Sequence, residues 1–173
     1  INPVAIDLGF LQLRWYAISY VAGILLSWFL ILQIIKNKKI QINSEVISEL
    51  ISNSILGIIL GGRLGYVLFY NYEYFIINSL EIFKIWNGGM SFHGGLIGVI
   101  IATIYTSKKY KVPLLQLADL VAVVAPIGIF CGRVANFING ELYGRITTHP
   151  IGVMFPNGGN LPRHPSQIYE ALF

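Results

Sequence analysis

The chain has a single cysteine, Cys131, among its 173 residues, which excludes an internal disulfide. No Cys/His cluster with metal-ligand spacing accompanies it, so structural zinc and dithiol redox chemistry are poor expectations, and neither a metal nor a cofactor is expected. Charge is scarce too: Asp, Glu, Lys and Arg make up 12% of the residues, against 55% hydrophobic ones and a mean hydropathy of +0.66. Soluble domains are about a quarter charged. That shortage points away from a soluble domain and toward a protein whose solvent is lipid.

What is present fits that solvent. Four apolar stretches, 15–35, 47–70, 90–107 and 117–138, approach the roughly 20 residues a helix needs to cross a bilayer core of about 30 Å. The third is short, and the second is interrupted by Glu49, Asn53 and Arg63. The fold class expected is therefore all-α: a polytopic membrane helical bundle forming one transmembrane domain over 1–173. It would have four complete transmembrane helices and the start of a fifth. The first stretch is too long for a signal-peptide core and no small-residue cleavage site follows it, so it reads as a retained helix. From Pro165 the sequence runs Pro-Ser-Gln-Ile-Tyr-Glu-Ala-Leu-Phe, a proline and polar start followed by good helix formers, with no C-cap and no basic stop. A fifth helix continuing past Phe173 is expected, and the chain reads as the N-terminal portion of a longer protein.

The net charge of +4 is placed unevenly. Lys36, Lys38 and Lys39 follow the first stretch, and Lys108, Lys109 and Lys111 follow the third. The alternate loops, 71–89 and 139–165, lack such runs, and the former carries Glu73 and Glu81. The positive-inside rule makes the lysine loops cytoplasmic and puts the N-terminus and both longer loops outside. Topology thus accounts for the lysines, and a nucleic-acid partner is not expected. Trp15, Tyr16, Phe69, Tyr70, Tyr72, Tyr74 and Trp86 fall near the outer boundary, as an interfacial belt would.

An arginine in a bilayer core costs at least about 2.5 kcal/mol, so each one needs a reason. At 1.5 Å per residue, Arg63 lies about 10 Å below the outer end of the second stretch and Arg133 about 8 Å below that of the fourth; His93 lies about one turn inside the third. Three spans would bring three cationic or ionisable groups to one level, in the outer half of the membrane. The structural alternative is that each arginine snorkels or pairs with a carboxylate such as Glu141, and that a neutral His93 bonds a backbone carbonyl. Glycines repeat every fourth residue beside them: Gly57, Gly61 and Gly65; Gly94 and Gly98; Gly128 and Gly132. Small residues at that spacing let helix backbones approach closely in lipid, which would turn the neighbouring polar groups toward the bundle interior. In 132–145, reading GRVANFINGELYGR, Arg133 and Asn136 share a helix face, the helix is expected to end near Asn139 and Gly140, and Glu141 and Arg145 fall in an outer loop. A guanidinium fork beside an amide and a carboxylate suits a lipid phosphate with a glycerol headgroup.

That segment resembles the signature of the prolipoprotein diacylglyceryl transferases. The likeness extends to Gly61-Gly62-Arg63-Leu64-Gly65-Tyr66, to Gly88-Gly89-Met90-Ser91-Phe92-His93-Gly94-Gly95, to Arg163-His164-Pro165-Ser166-Gln167 and to Trp15-Tyr16. Ala135 stands where the family usually has glycine, and the family has a further C-terminal part whose arginine, considered important for catalysis, has no counterpart here. The resemblance implies a multi-pass enzyme of the bacterial inner membrane, its site facing the outer leaflet, whose partners are phosphatidylglycerol, the signal peptide of a prolipoprotein with its lipobox cysteine, and the lipid bilayer. The cysteine thiol would attack the glycerol carbon bearing the phosphodiester oxygen, forming a thioether and releasing glycerol phosphate. A thiol of pKa about 8.5 needs a base or a cationic field at neutral pH. The expected catalytic residues are His93, as base or headgroup orienter, and Tyr16. Expected substrate-binding residues are Arg133 for the phosphate, Asn136 and Glu141 for the glycerol hydroxyls, Arg63 as a second phosphate contact or structural partner, and Gly144 as part of the motif. His164 has an equally good structural reading, and Cys131 reads as core. A different class, an anion transporter or channel lined by Arg63 and Arg133, would also explain buried charge, but no inverted repeat of discontinuous helices is present.

Overall fold

The computed structural model describes residues 4–7, 9 and 12–173. An antiparallel hairpin of β1 (Val4–Asp7) and β2 (Gln12–Arg14) precedes six helices. These are α1 (Trp15–Asn37), α2 (Ser44–Phe69), α3 (Tyr72–Ile77), α4 (Phe92–Tyr110), α5 (Leu114–Asn139) and α6 (Ser166–Leu172), with short 3-10 turns at Ser79–Phe83 and Ile85–Asn87. By length and composition α1, α2 and α5 can cross a membrane, so a membrane helical bundle fits and three of the four expected stretches are recovered to within a few residues. The stretch at 90–107 is the exception. It forms α4, but glycines and His93 at its start and Ser107, Lys108 and Lys109 at its end dilute the apolar run, and it is not among the three. The helical turn expected after Pro165 is α6.

The chain divides into two compact units, one comprising the residues up to Ile31 with Ala122–Phe173, the other Leu32–Val121. In the second unit α2 and α4 run antiparallel with their backbones in direct contact. A Cβ on Gly57 or Gly61 would run into the carbonyl of Gly98 or Gly94, and a Cβ on Gly94 or Gly98 into that of Gly61 or Gly57. The four-residue spacing thus does on these two helices what it implied. One position along, Leu56, Leu60, Leu64 and Leu68 form a stripe that stays exposed, an apolar face suited to lipid. Polar interruptions are answered between the same helices. Asn53 Nδ2 donates to Thr106 Oγ1 at 3.2 Å, and Thr106, fully buried, donates to the carbonyl of Ala102 at 2.9 Å. Glu49 takes Lys109 as an ion pair and accepts a hydrogen bond from the Tyr110 hydroxyl.

In the other unit α1 packs on α5 at Gly23, where an added Cβ would stand 3.4 Å from Cys131 Cβ and 3.6 Å from Gly128 Cα. Cys131 is half-buried there, as a small packing residue. A Cβ on Gly128 or Gly132 would meet nothing within 4 Å among the described residues, so α1 approaches α5 beside Gly128 without filling the space at either glycine. The end of α5 follows expectation: Gly140 adopts φ +68°, its N–H bonds the carbonyl of Phe137 and the Glu141 N–H that of Asn136, which closes the helix.

Inserting side chains into a well-packed interior costs about 1–3 kcal/mol when neighbours can yield; a backbone carbonyl cannot. Gly61→Leu should therefore abolish or strongly lower the cooperative thermal transition of the detergent-solubilised protein, whereas Gly132→Ala, with open space around it, should leave the midpoint unchanged or raise it.

Candidate functional site

The expected site residues fall into two groups, one in each unit. In the second unit, Ser91 opens α4: its side chain accepts the N–H of Gly94 at 3.2 Å, and its own N–H bonds the carbonyl of Gly62 on α2 at 2.8 Å. His93 is the second residue of α4, in the first turn and not one turn inside, because Gly88 and Gly89, both near φ +80°, lead into the cap instead of extending the helix. Its ring is exposed, lies edge-on to Phe92 with centroids 5.7 Å apart, and has no hydrogen-bond partner among the described residues. The backbone-bonded alternative for this imidazole is thus not what forms.

Arg63 is nine-tenths buried in the adjacent turn of α2, and all five of its N–H groups meet backbone carbonyls. Nε donates to Ile82 at 2.9 Å; Nη1 donates to Gly88 and, at 3.3 Å, to Gly89; Nη2 donates to Glu81 at 2.6 Å and Lys84 at 3.3 Å. Its Cζ also sits 5.1 Å from the centroid of Phe75. A cavity of about 180 Å³ opens beside it between Tyr66, Asn71, Tyr74 and Phe75. Of the two readings of Arg63, phosphate contact or structural partner, this cage supplies the second. No donor of the fork is left for a phosphate in this arrangement, and the loop it grips is the one that delivers His93.

In the other unit, Tyr16 lies in the first turn of α1, its hydroxyl 3.1 Å from that of Tyr20 and within electrostatic reach of Arg133 and Glu141. Arg133 and Asn136 stand one turn apart on α5, Asn136 buried and Arg133 half-buried. The structural alternative of a carboxylate partner takes form with Glu170 on α6 and not with its example Glu141: Arg133 Nη2 pairs at 2.8 Å with Glu170 Oε2. Glu141 is exposed. Gly144 has a steric role, since a Cβ there would stand 3.0 Å from both Cβ and the carbonyl oxygen of His164, and its N–H bonds that carbonyl at 2.8 Å. His164 turns its Nδ1 to the Tyr169 hydroxyl at 3.1 Å, which suits its structural reading. Arg163 staples the 140–165 loop: Nε donates to Gly158 at 2.8 Å and Nη1 to Gly144 at 3.3 Å, over the ring of Tyr143.

The model of one protein family, prolipoprotein diacylglyceryl transferase, matches residues 3–173. The chain belongs to the prolipoprotein diacylglyceryl transferase family. It is 54% identical to the phosphatidylglycerol–prolipoprotein diacylglyceryl transferase of Rickettsia akari (strain Hartford) over 173 residues, which is 100% of this chain and 67% of that protein. The protein of the same name from Rickettsia felis is 53% identical with the same coverage, and that from Geobacter sulfurreducens (strain ATCC 51573) 46% identical over 172 residues, 99% of this chain and 66% of that protein. Membership makes the chain a transferase, as the signature segments implied. Ala135, the small-for-small departure in the family signature, is fully buried. Two residues of the transferase escaped the sequence reading. Glu170 lay in a run that read only as good helix formers, and Gln167, quoted only as part of a motif, is fully buried with its Nε2 on the carbonyl of Glu141.

An ammonium has three donors and no plane, so Arg63→Lys should leave carbonyls of 81–89 unpaired, at about 1–3 kcal/mol for each buried group. The expected result is a lowered thermal midpoint with faster amide hydrogen exchange across 79–91; wild-type exchange there would mean that the carbonyl cage does not order the loop.

Proposed function

We propose that this protein transfers the diacylglyceryl group of phosphatidylglycerol to the lipobox cysteine thiol of a prolipoprotein. Membership in the family over residues 3–173 carries the reading, and the state of Arg133 supports it: a half-buried guanidinium with one ion pair, one turn from a buried amide. In this mechanism Arg133 takes the phosphate and holds it as the carbon–oxygen bond breaks. Asn136 and Glu141 receive the glycerol hydroxyls, and Tyr16 donates a hydrogen bond to the headgroup. The sulfur–carbon bond forms at the carbon of the acylated glycerol that carries the phosphodiester oxygen as that carbon–oxygen bond breaks, the electron pair leaves on the phosphate of the departing glycerol phosphate, and the thiol proton goes to His93. An exposed imidazole without a hydrogen-bond partner among the described residues is available for that proton. Arg63 acts through the loop before His93.

The same reading puts the enzyme in a bacterial inner membrane, lysine loops inside and the site toward the outer leaflet. It makes α4 a fourth span, because α4 lies antiparallel against α2 from Gly61–Gly94 to Glu49–Lys109 and so shares its depth.

Purified protein given a lipobox peptide and phosphatidylglycerol should raise the peptide mass by one diacylglyceryl group; an unchanged mass with folded protein present overturns the reading. Arg133→Lys keeps the charge and loses the fork, so kcat/KM should fall by about tenfold or more. His93→Gln should lose about 100-fold or more in kcat together with the acidic limb of the kcat–pH profile. Retention of that limb would make His93 an orienting group and not the base.

A further inference from the structure

Glu170 reaches Arg133 by a route that leaves it little freedom. Behind it, Gly144 N–H bonds the carbonyl of His164 at 2.8 Å and His164 N–H that of Arg145 at 3.0 Å, so the chain entering α6 is paired to the loop leaving α5. At the start of α6, Ser166 Oγ donates to the carbonyl of Leu142 at 2.9 Å, and the buried Gln167 donates to that of Glu141. Glu170 follows Gln167 by three positions and shares its helix face. Its Oε2 meets only one corner of the guanidinium, Nη2, and the side chains are 33% and 50% exposed, open enough for another ligand to approach. Among the described residues the other corners, Nε and Nη1, have no hydrogen bond or ion pair. The fork is thus fastened at one end and open at the other, unlike that of Arg63.

We propose that Glu170 is a positioning residue: it fixes the Arg133 fork through Nη2 so that Nε and Nη1 meet an incoming anionic phosphate. This rests on Arg133 being the phosphate ligand. A carboxylate in this place also offsets the guanidinium charge, so it weakens ground-state attraction for the anion while it improves orientation for the reaction. Removing its charge therefore moves the two kinetic constants differently. A merely structural residue would lower the folded fraction and leave both constants of the folded enzyme alone.

The test compares wild-type protein with Glu170→Gln, Glu170→Asp and Arg133→Gln in the transfer assay, using phosphatidylglycerol in mixed micelles and a lipobox peptide, with thermal midpoints measured in the same detergent. Glu170→Gln should lower kcat by about 10-fold to 100-fold, as misorientation does, with KM for phosphatidylglycerol unchanged or lower and the midpoint near wild type. Glu170→Asp, which restores the charge on a shorter arm, should recover part of kcat. Wild-type kcat in Glu170→Gln, or a loss that only follows the folded fraction, overturns the proposal. If Glu170→Gln does not fold, Glu170→Asp is read in its place: reduced kcat at a normal midpoint supports the role, and wild-type kcat overturns it. Arg133→Gln separates the two failures. If it is inactive while Glu170→Gln is normal, only the positioning role falls; if Arg133→Gln is also normal, the phosphate reading falls with it.

Discussion

Lipid tails offer neither charge nor hydrogen-bond acceptors, so every polar group on an apolar helix has to be answered from within the chain. Four polar residues of this protein are answered in that way. Arg63 is answered by five backbone carbonyls, Asn53 by Thr106, Glu49 by Lys109 and Tyr110, and Arg133 by Glu170. Each answer comes from a different element, so each polar residue also ties two segments together. Groups that are expensive to bury act as the specifying contacts of a fold whose apolar surfaces discriminate poorly between neighbours.

In the unit built on α2 and α4 the links form a sequence of dependence. Glycines at every fourth position let the two backbones touch, which sets the relation of the two axes. That contact brings the carbonyl of Gly62 to the N–H of Ser91 and so fixes where α4 can begin. Arg63, one residue further along α2, then gathers the carbonyls of the loop that arrives at the same point. His93 inherits its place from all three, although it makes none of these bonds itself. Its backbone is thus placed by neighbouring contacts, while its ring is exposed.

Helix positions were legible because composition and apolar length speak directly to a bilayer, and the four-residue glycine spacing announced the α2–α4 contact. At Gly128 and Gly132 the same spacing names a face without naming what packs on it. Depth counting put His93 a turn too far in, since it treated Met90 and Ser91 as helix when Ser91 is the cap and α4 begins at Phe92. The partner of Arg133 was not legible at all. Glu141 stood only as an example of a possible partner; the 140–165 loop folds on Arg163 and returns Glu170 to the guanidinium, and no periodicity encodes a pairing set by loop backbone.

The two arginines show why residue type and depth do not by themselves assign a role. Carbonyls are neutral, so the cage around Arg63 satisfies its donors without cancelling its charge; the directions in which it can bond are used up, and an anion arriving there would find attraction but no geometry. Glu170 does the opposite to Arg133. It cancels charge but occupies one corner, leaving bonding directions without a strong field. For the transfer proposed above, in which Arg133 holds a phosphate more firmly as it leaves than as it arrives, the second state is the useful one, because the attraction grows as negative charge develops on the departing oxygen while the geometry is already in place. Buried arginines in membrane enzymes are therefore better sorted by what their donors still lack than by how deeply they lie.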